Sequence, residues 1–401
     1  MRSLLLAALA LAGGLLLAGC WDRQELEDRA LILGMAIDEA DGDEKDEHAT
    51  HLTPPPTVKG KKIRITAQIA IPGRVPLGPS DSGGGGKEGG MPVWVVRVTG
   101  YSIDDALNNL QQEIADPRSL IHLRVIVISE KIARRGVEDL NDYFRRNSEV
   151  RRSTWLLVSD IEADRLMGVA PPLERIPSLY LLSMIEKSME MGKFPKEYIG
   201  SFWTAESSKG QDEFLPYISI RQKENILLKG IALFSGGRMV GHTEPIEIGA
   251  YMALKGMNPG GYSNFIQVPD VGTLMLTTFR RQAETDIRIE DDVPHIRIKV
   301  RLDTRIEERL DNESDAYTAS DYRKIEEHLE ENVSRILRGF IRSTQQLKSD
   351  PFGFGEALRG QYPRYWNRHI ETKSDWESLY AQTRFDIGCE IYIRREGLKT
   401  N

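Results

Sequence analysis

The chain has two cysteines, Cys20 and Cys389, and the residues before the first commit its thiol to something other than a disulfide. Arg2 is followed by an apolar run, residues 4–17, and then by Ala18-Gly19-Cys20. A lone basic residue, an apolar stretch of about 15 residues and small residues before a cysteine make a secretory leader of the lipoprotein type. The run is too short to span a bilayer as a helix, which takes roughly 20 residues. This predicts cleavage before Cys20 and a diacylglyceryl group on its thiol. An ordinary secretory leader with an incidental cysteine is the competing reading, and the Ala18-Gly19 pair favours the first. Two acyl chains on one residue anchor stably, where one is marginal. Cys389 then has no partner, so the fold must be held by its hydrophobic core alone. The chain is long enough to build one.

With 40% hydrophobic and 28% charged residues the balance is that of a soluble globular protein. There are 53 basic and 60 acidic residues, a net charge of −7, and the leader holds only Arg2 of these. That balance argues against nucleic acid as a partner and against a strongly cationic membrane-binding surface. No other apolar run is long and uninterrupted enough to cross a membrane.

Periodicity predicts alternating strands and helices. Residues 30–38 read as a strand beginning about ten residues from the anchor, a tether of roughly 35 Å at full extension. Residues 62–71 alternate with Ile63, Ile65, Ala67, Ile69 and Ile71 on one face and stop at Pro72. Residues 41–59 and the glycine-rich stretch 76–92 read as loops. Residues 93–98, 122–128, 154–158 and 214–220 read as strands. Helices are expected at 102–114, capped by Ser102, at 130–135, closed by Gly136, around Leu140 and Phe144, and over 179–191. Residues 194–213 read as loop-rich. Strand 226–234, a Gly236-Gly237 turn and Met239-Val240-Gly241 form a hairpin signal. Strands 272–280, 285–290 and 295–302 follow. Residues 320–348 form the longest helix, with Ile325, Leu329, Val333, Leu337, Phe340 and Ile341 on one stripe and charges on the other face. The chain closes on a strand in which Phe385, Ile387, Cys389, Ile391 and Ile393 share a face, making Cys389 a buried structural thiol. The expected fold class is α+β, with three mixed α/β domains in series, each a sheet flanked by helices. They follow the leader 1–19 and cover 20–170, a small middle unit 171–223 marked by Pro171, Pro172 and Pro177, and 224–401.

The search for chemistry is mostly negative. Neither common zinc pattern occurs, and His48 and His51 lie in a Pro-flanked loop that makes a poor ligand platform. Lys87 follows the glycine run, but Glu88 stands where a P-loop needs Ser or Thr. Carboxylate pairs such as Asp291-Asp292 and Glu326-Glu327 are adjacent and point apart. No catalytic residue, metal site or cofactor is expected. Paired arginines recur at 134–135, 145–146, 151–152, 280–281 and 394–395. A solvated surface is the plain account of them, and contact with anionic headgroups or an acidic partner the sharper one.

Several segments, in order, resemble one family. Cys20-Trp21-Asp22-Arg23-Gln24-Glu25-Leu26 followed by the strand ending at Asp38 resembles the mature start of the Ger(x)C-type lipoproteins, the C subunits of bacterial spore germinant receptors. His122 to Glu130 and Arg145 to Arg152 resemble the family's N-terminal region. Lys229-Gly230-Ile231-Ala232-Leu233-Phe234 with Arg238 to Gly241 resembles the opening of its C-terminal domain. Asp350-Pro351-Phe352-Gly353-Phe354-Gly355, then Tyr362 to Trp366 and Trp376, resembles its close. The resemblance implies three α/β domains in series and a non-enzymatic subunit on the outer face of the spore inner membrane. It implies partners too, a polytopic A subunit and a membrane-embedded B subunit responding to small nutrients, with Cys20 as the lipidated residue. The glycine-rich insert departs from the family pattern. The charged face of helix 320–348 and the Phe352-Gly353-Phe354 turn are expected to contribute subunit contacts, a core plug being the alternative for the turn. A solute-binding lipoprotein serving a transporter and an envelope hydrolase are the competing classes. The first needs two similar lobes around a cleft, the second a nucleophile or metal.

Overall fold

The computed structural model describes residues 29–40, 62–71, 92–169, 174–222, 225–310 and 317–394. Cys20, residues 41–59 and the glycine-rich run 76–91 therefore lie outside the described residues.

Two sheets flanked by helices make up the fold. The first contains β1 (Ala30–Glu39), β2 (Ile63–Ala70), β3 (Val93–Gly100), β4 (Arg118–Ser119), β5 (Val125–Ser129), β6 (Trp155–Ser159), β7 (Phe214–Arg221), β8 (Asn225–Ser235) and β9 (Arg238–His242). Their order in space is β3-β2-β1-β5-β6-β7-β8-β9, with β4 beside the start of β1. The central strands β1, β5, β6 and β7 are parallel, and antiparallel pairs close both edges. All residues of β5 and β6 are buried, as in a parallel sheet covered on both faces. Alternation still assigns the faces. Ile126, Ile128, Leu156 and Val158 pack under α1 (Ile103–Glu113), α2 (Glu130–Arg135), α3 (Glu138–Arg146) and α5 (Ile199–Glu206). Val125, Val127, Trp155 and Leu157 pack under a 3-10 turn, Ala163–Gly168, and α4 (Pro177–Glu190). The expected cap is present: Asp105 N–H donates to Ser102 Oγ at 3.2 Å, and Tyr101 N–H to the Asp105 carboxylate at 2.8 Å. Asp38 at the end of β1 is almost fully buried, and its carboxylate accepts the Ala163 and Asp164 N–H groups at 2.7 and 2.9 Å. Burial pushes its pKa up, and these bonds draw it back.

The second sheet contains β10 (Tyr262–Val268), β11 (Gly272–Glu290), β12 (Val293–Arg309) and β13 (Arg384–Ile393), in that order. One face is buried against α6 (Pro245–Leu254), α7 (Ala319–Gln346), α8 (Phe354–Gln361) and α9 (Pro363–His369). Cys389 lies half-buried on that face, where burial pushes its thiol up to about 12, helped by Glu330 and Glu390, which favours the neutral thiol over the thiolate. The edge of β13 is closed by α7: Ile391 and Ile393 N–H donate to Glu330 and Glu326, both at 2.8 Å. Two side chains one helical turn apart thus occupy edge donors that would otherwise invite another strand.

Several expectations change. Strands 272–280 and 285–290 are one strand, since β11 and β12 form a long antiparallel ribbon through the charged stretch between them. Helix α5 lies in the segment expected as loop, hidden by weak helix formers Gly200, Ser201 and Thr204. Helix α6 is apolar on almost every side and shows no stripe. The two expected boundaries also fall inside one sheet. β7, from the expected middle unit, pairs with β6, and β8 and β9, from the expected last unit, complete that sheet. The reason is local, because β7 and β8 form a tight antiparallel hairpin. The Gly236-Gly237 turn joins β8 and β9 with both φ values positive, at 56 and 71°, as glycine allows.

Candidate functional site

Side chains from both sheets converge where β7 and β8 meet the second unit, and the family-like segment beginning at Asp350 lies at the centre. Asp350 is fully buried. Its carboxylate accepts the N–H groups of Phe352, Gly353 and Gly355 at 3.1, 3.0 and 3.1 Å and the Trp376 indole N–H at 3.1 Å. Burial pushes its pKa up to about 6 despite these donors. The bonds wrap residues 350–355 around the carboxylate and turn Phe352 and Phe354 inward. Phe352 is 2% and Phe354 5% exposed. The expected partner-facing turn is therefore a core plug. Ring contacts run from Phe214 of β7 to Tyr251 (4.9 Å between centroids), then Phe352 (5.4 Å), Phe354 (5.1 Å) and Phe385 of β13 (5.3 Å). The β7–β8 end of the first sheet thus shares the core of the second.

Backbone and charge lock the junction. Asp212 N–H donates to the Asp350 carbonyl at 2.8 Å, and Asp350 N–H to the Asp212 carboxylate at 2.7 Å. Lys373, on α10 (Lys373–Tyr380), places its ammonium 3.3 Å from Asp212 and 3.0 Å from Glu213, both buried. One cation thus serves two carboxylates. Burial raises the pKa of both acids against the pull of Lys373, Asp212 to about 8. Burial pulls the Lys373 pKa down, but the two carboxylates outweigh it and the net direction is up. Gly210 and Gly355 pack backbone to backbone: a Cβ on Gly355 would lie 2.5 Å from Trp376 and 2.6 Å from the Gly210 Cα. Gly355→Ala is expected to destabilise by about 2 kcal/mol or more, because neither the indole nor the backbone can yield. A denaturation midpoint equal to wild type would contradict this tight approach.

The paired arginines mostly serve the fold. Arg134 pairs with Glu130, Arg135 with Glu39, Arg145 with Glu206, Arg146 with Asp142 and Arg394 with Asp303. Arg281 is 2% exposed and donates to the carbonyls of Met257, Pro259 and Gly192. Burial draws its pKa down to about 10. Arg151 and Arg280 remain exposed. On α7 the outer face carries exposed Arg335, Arg338 and Arg342, one row at helical spacing. A groove of about 960 Å³ runs along α1 and α3, lined by carboxylates such as Asp104 and Asp142 and by Arg118, Arg146 and Arg238. Its opposite charges suit a polar ligand of no single sign. No group of three or more His, Cys, Asp and Glu able to hold a metal occurs among the described residues. No helix among them is long and apolar enough to cross a membrane. Sequence alone does not single out the junction acids, since Asp212-Glu213 is one of many carboxylate pairs.

Comparison with known proteins supplies the identity. Residues 22–220 match the model of the spore germination protein N-terminal domain, and residues 229–397 match that of the spore germination B3/GerAC-like C-terminal domain. The chain is 24% identical to spore germination protein KC of Bacillus subtilis (strain 168), over 100% of this chain and 97% of that one. It is 23% identical to spore germination protein GerQC of Bacillus cereus, covering 78% and 85%. The crystal structure of the GerBC protein has a similar fold, with a TM-score of 0.56 and 19% identity over 83% of this chain and 94% of that one. With both domain models matched in order, the chain belongs to the GerAC-like family of spore germination proteins, the Ger(x)C type.

Proposed function

We propose that this chain is the lipid-anchored C subunit of a spore nutrient germinant receptor. In this reading Cys20 carries the acyl chains on the outer face of the spore inner membrane, and the folded body works beside polytopic A and B subunits without catalysing a reaction. The observation that carries it is the ordered match of both family domains across residues 22–220 and 229–397. The leader supports the anchor. The perturbed acids support the non-catalytic role, since Asp350, Asp212 and Glu213 are engaged in joining the two sheets. The exposed arginine row of α7 is the partner-facing part of that helix. A solute-binding lipoprotein is disfavoured by the shared core, because a hinged two-lobed binder needs a cleft where this chain has packed rings. The groove along α1 and α3 is where a small ligand would bind if the subunit touches one.

The test replaces Cys20 with Ala in the native spore-forming host and scores membrane retention together with nutrient-triggered germination. Both are expected to be lost, germination by an order of magnitude or more. Lost retention with normal germination would show that the anchor is dispensable. Retention with an unchanged lipid label would overturn the lipoprotein reading.

A further inference from the structure

The strand register gathers basic side chains at one end of the first sheet, the end from which the chain leads back toward Cys20. β1 begins at Ala30, and Ala30 pairs with Arg118 of β4. Gly34, four residues on, pairs with Val125, which pairs with Trp155. Arg124 immediately precedes β5, and its N–H donates to the Leu33 carbonyl. Arg151 and Arg152 lie in the turn that leads into β6 at this end, the Thr154 N–H donating to the Arg151 carbonyl, and both are exposed. On the other side Trp94 pairs with Ile69, which pairs with Ile32, and Trp94 is 45% exposed. Arg29, Arg118, Arg124, Arg151 and Arg152 thus share this end with Glu113, Asp116 and Glu149. One Glu149 oxygen is occupied by the Leu120 N–H at 2.7 Å. In a chain of net charge −7 this end is locally basic.

We infer that this end of the first sheet is a membrane-facing surface that binds anionic phospholipid headgroups through Arg124, Arg151 and Arg152, with Trp94 at its rim. The inference rests on the anchored reading above for its geometry. Ten residues from Cys20 to Ala30 reach roughly 35 Å, so the end where β1 starts is the part of the body held nearest the bilayer. The tether carries Asp22, Glu25, Glu27 and Asp28, and a basic surface behind it offsets their repulsion from an anionic leaflet. Tryptophan at such a rim suits the headgroup level, where one part of the ring is apolar and another wet.

The test uses the mature chain, residues 20–401, carrying Cys20→Ser so that no acyl chain contributes. It is sedimented with vesicles of phosphatidylcholine alone and of phosphatidylcholine mixed with phosphatidylglycerol. Binding is expected only to the mixed vesicles and should weaken with salt. Arg151→Gln is expected to lower it about fivefold, and Arg124→Gln with Arg151→Gln about thirtyfold. Arg152 is left intact because its guanidinium donates to the Gly200 carbonyl and Thr204 hydroxyl, so the variants keep the contact with α5. A control carries Arg335→Gln, Arg338→Gln and Arg342→Gln on α7 and should bind as the parent does. Loss in the control alone would move the membrane face to α7 and overturn the inference. So would equal binding to both vesicle types, or unchanged binding by the double variant, which would leave the arginines as partners of the acidic tether. Cys20 lipid labelling is scored separately. A labelled Cys20 with no vesicle binding sinks the surface and leaves the anchor, and the converse sinks the anchor alone.

Discussion

Asp350→Ala is expected to abolish stable folding of the C-terminal half. The substitution strips four donors of their acceptor, three of them buried and one part-buried: the Phe352 and Gly355 N–H groups and the Trp376 indole, and the Gly353 N–H. Each buried unpaired polar group costs about 1–3 kcal/mol, so the loss is on the order of 4 kcal/mol or more. That is comparable with the roughly 5–15 kcal/mol that holds a whole domain. The inward turn of Phe352 and Phe354 would go with it, and with that turn the shared core. Asp350→Asn keeps one acceptor oxygen but sets its amide group against N–H donors, so an intermediate loss is expected. Urea unfolding followed by circular dichroism measures both. A wild-type midpoint for Asp350→Ala would show that the carboxylate does not organise the segment.

Lys373→Met should cost about 3–5 kcal/mol, because it leaves Asp212 and Glu213 buried with no cation. The loss should depend on pH with a definite sign. The folded-state pKa values of both acids lie above their ordinary values, Asp212 at about 8, so the native protein holds a proton that the unfolded chain releases. A carboxylate raised in this way lowers stability as pH rises through the window from its ordinary value to its raised one. Without Lys373 the acids are raised further and the window widens. The deficit of Lys373→Met relative to wild type should therefore be larger at about pH 8 than at about pH 6. Adding Glu213→Gln to the variant should recover part of the loss by removing one of the two buried acids. Urea midpoints of the three proteins at the two pH values decide it. A deficit that does not change with pH would mean that the ammonium acts only through packing.

The two predictions concern the same few residues, and together they explain why the family-like segment 350–355 and Trp376 take the form they do. The aspartate is an internal cap and the glycines permit a close approach. The aromatics are a plug between two sheets. None needs a ligand to account for it. On the surface, the arginines of α7 and those around the start of β1 carry charge of one sign.

Much of this was legible in the sequence. Strand faces in β1, β2 and β13, the cap at Ser102, the stop at Gly136 and the apolar stripe of α7 all follow from periodicity and local hydrogen-bonding chemistry, because those signals are set by neighbours a few residues away. The resemblance of four segments in order pointed to the family that the domain models match. What the local pattern could not decide was which buried face meets which. Alternation shows that Phe214 and Leu233 are buried but not that β7 and β8 extend the first sheet and also form the floor of the second core. The Phe-Gly-Phe turn carries the same letters whether it faces a partner or the interior, and Asp350 settles it through four hydrogen bonds that exist only once residues 350–355 and α10 come together. Arg281 reads as surface and is interior, because three carbonyls from two distant loops meet its guanidinium there. Whole-chain charge likewise hides the basic end of the first sheet, since net charge is a sum over residues and the register of parallel strands decides which of them stand together. The sequence by itself thus determined the elements, their faces and the family. Tertiary structure alone decided the partners of those faces, because contacts between residues far apart in the chain leave no trace in any short window of it.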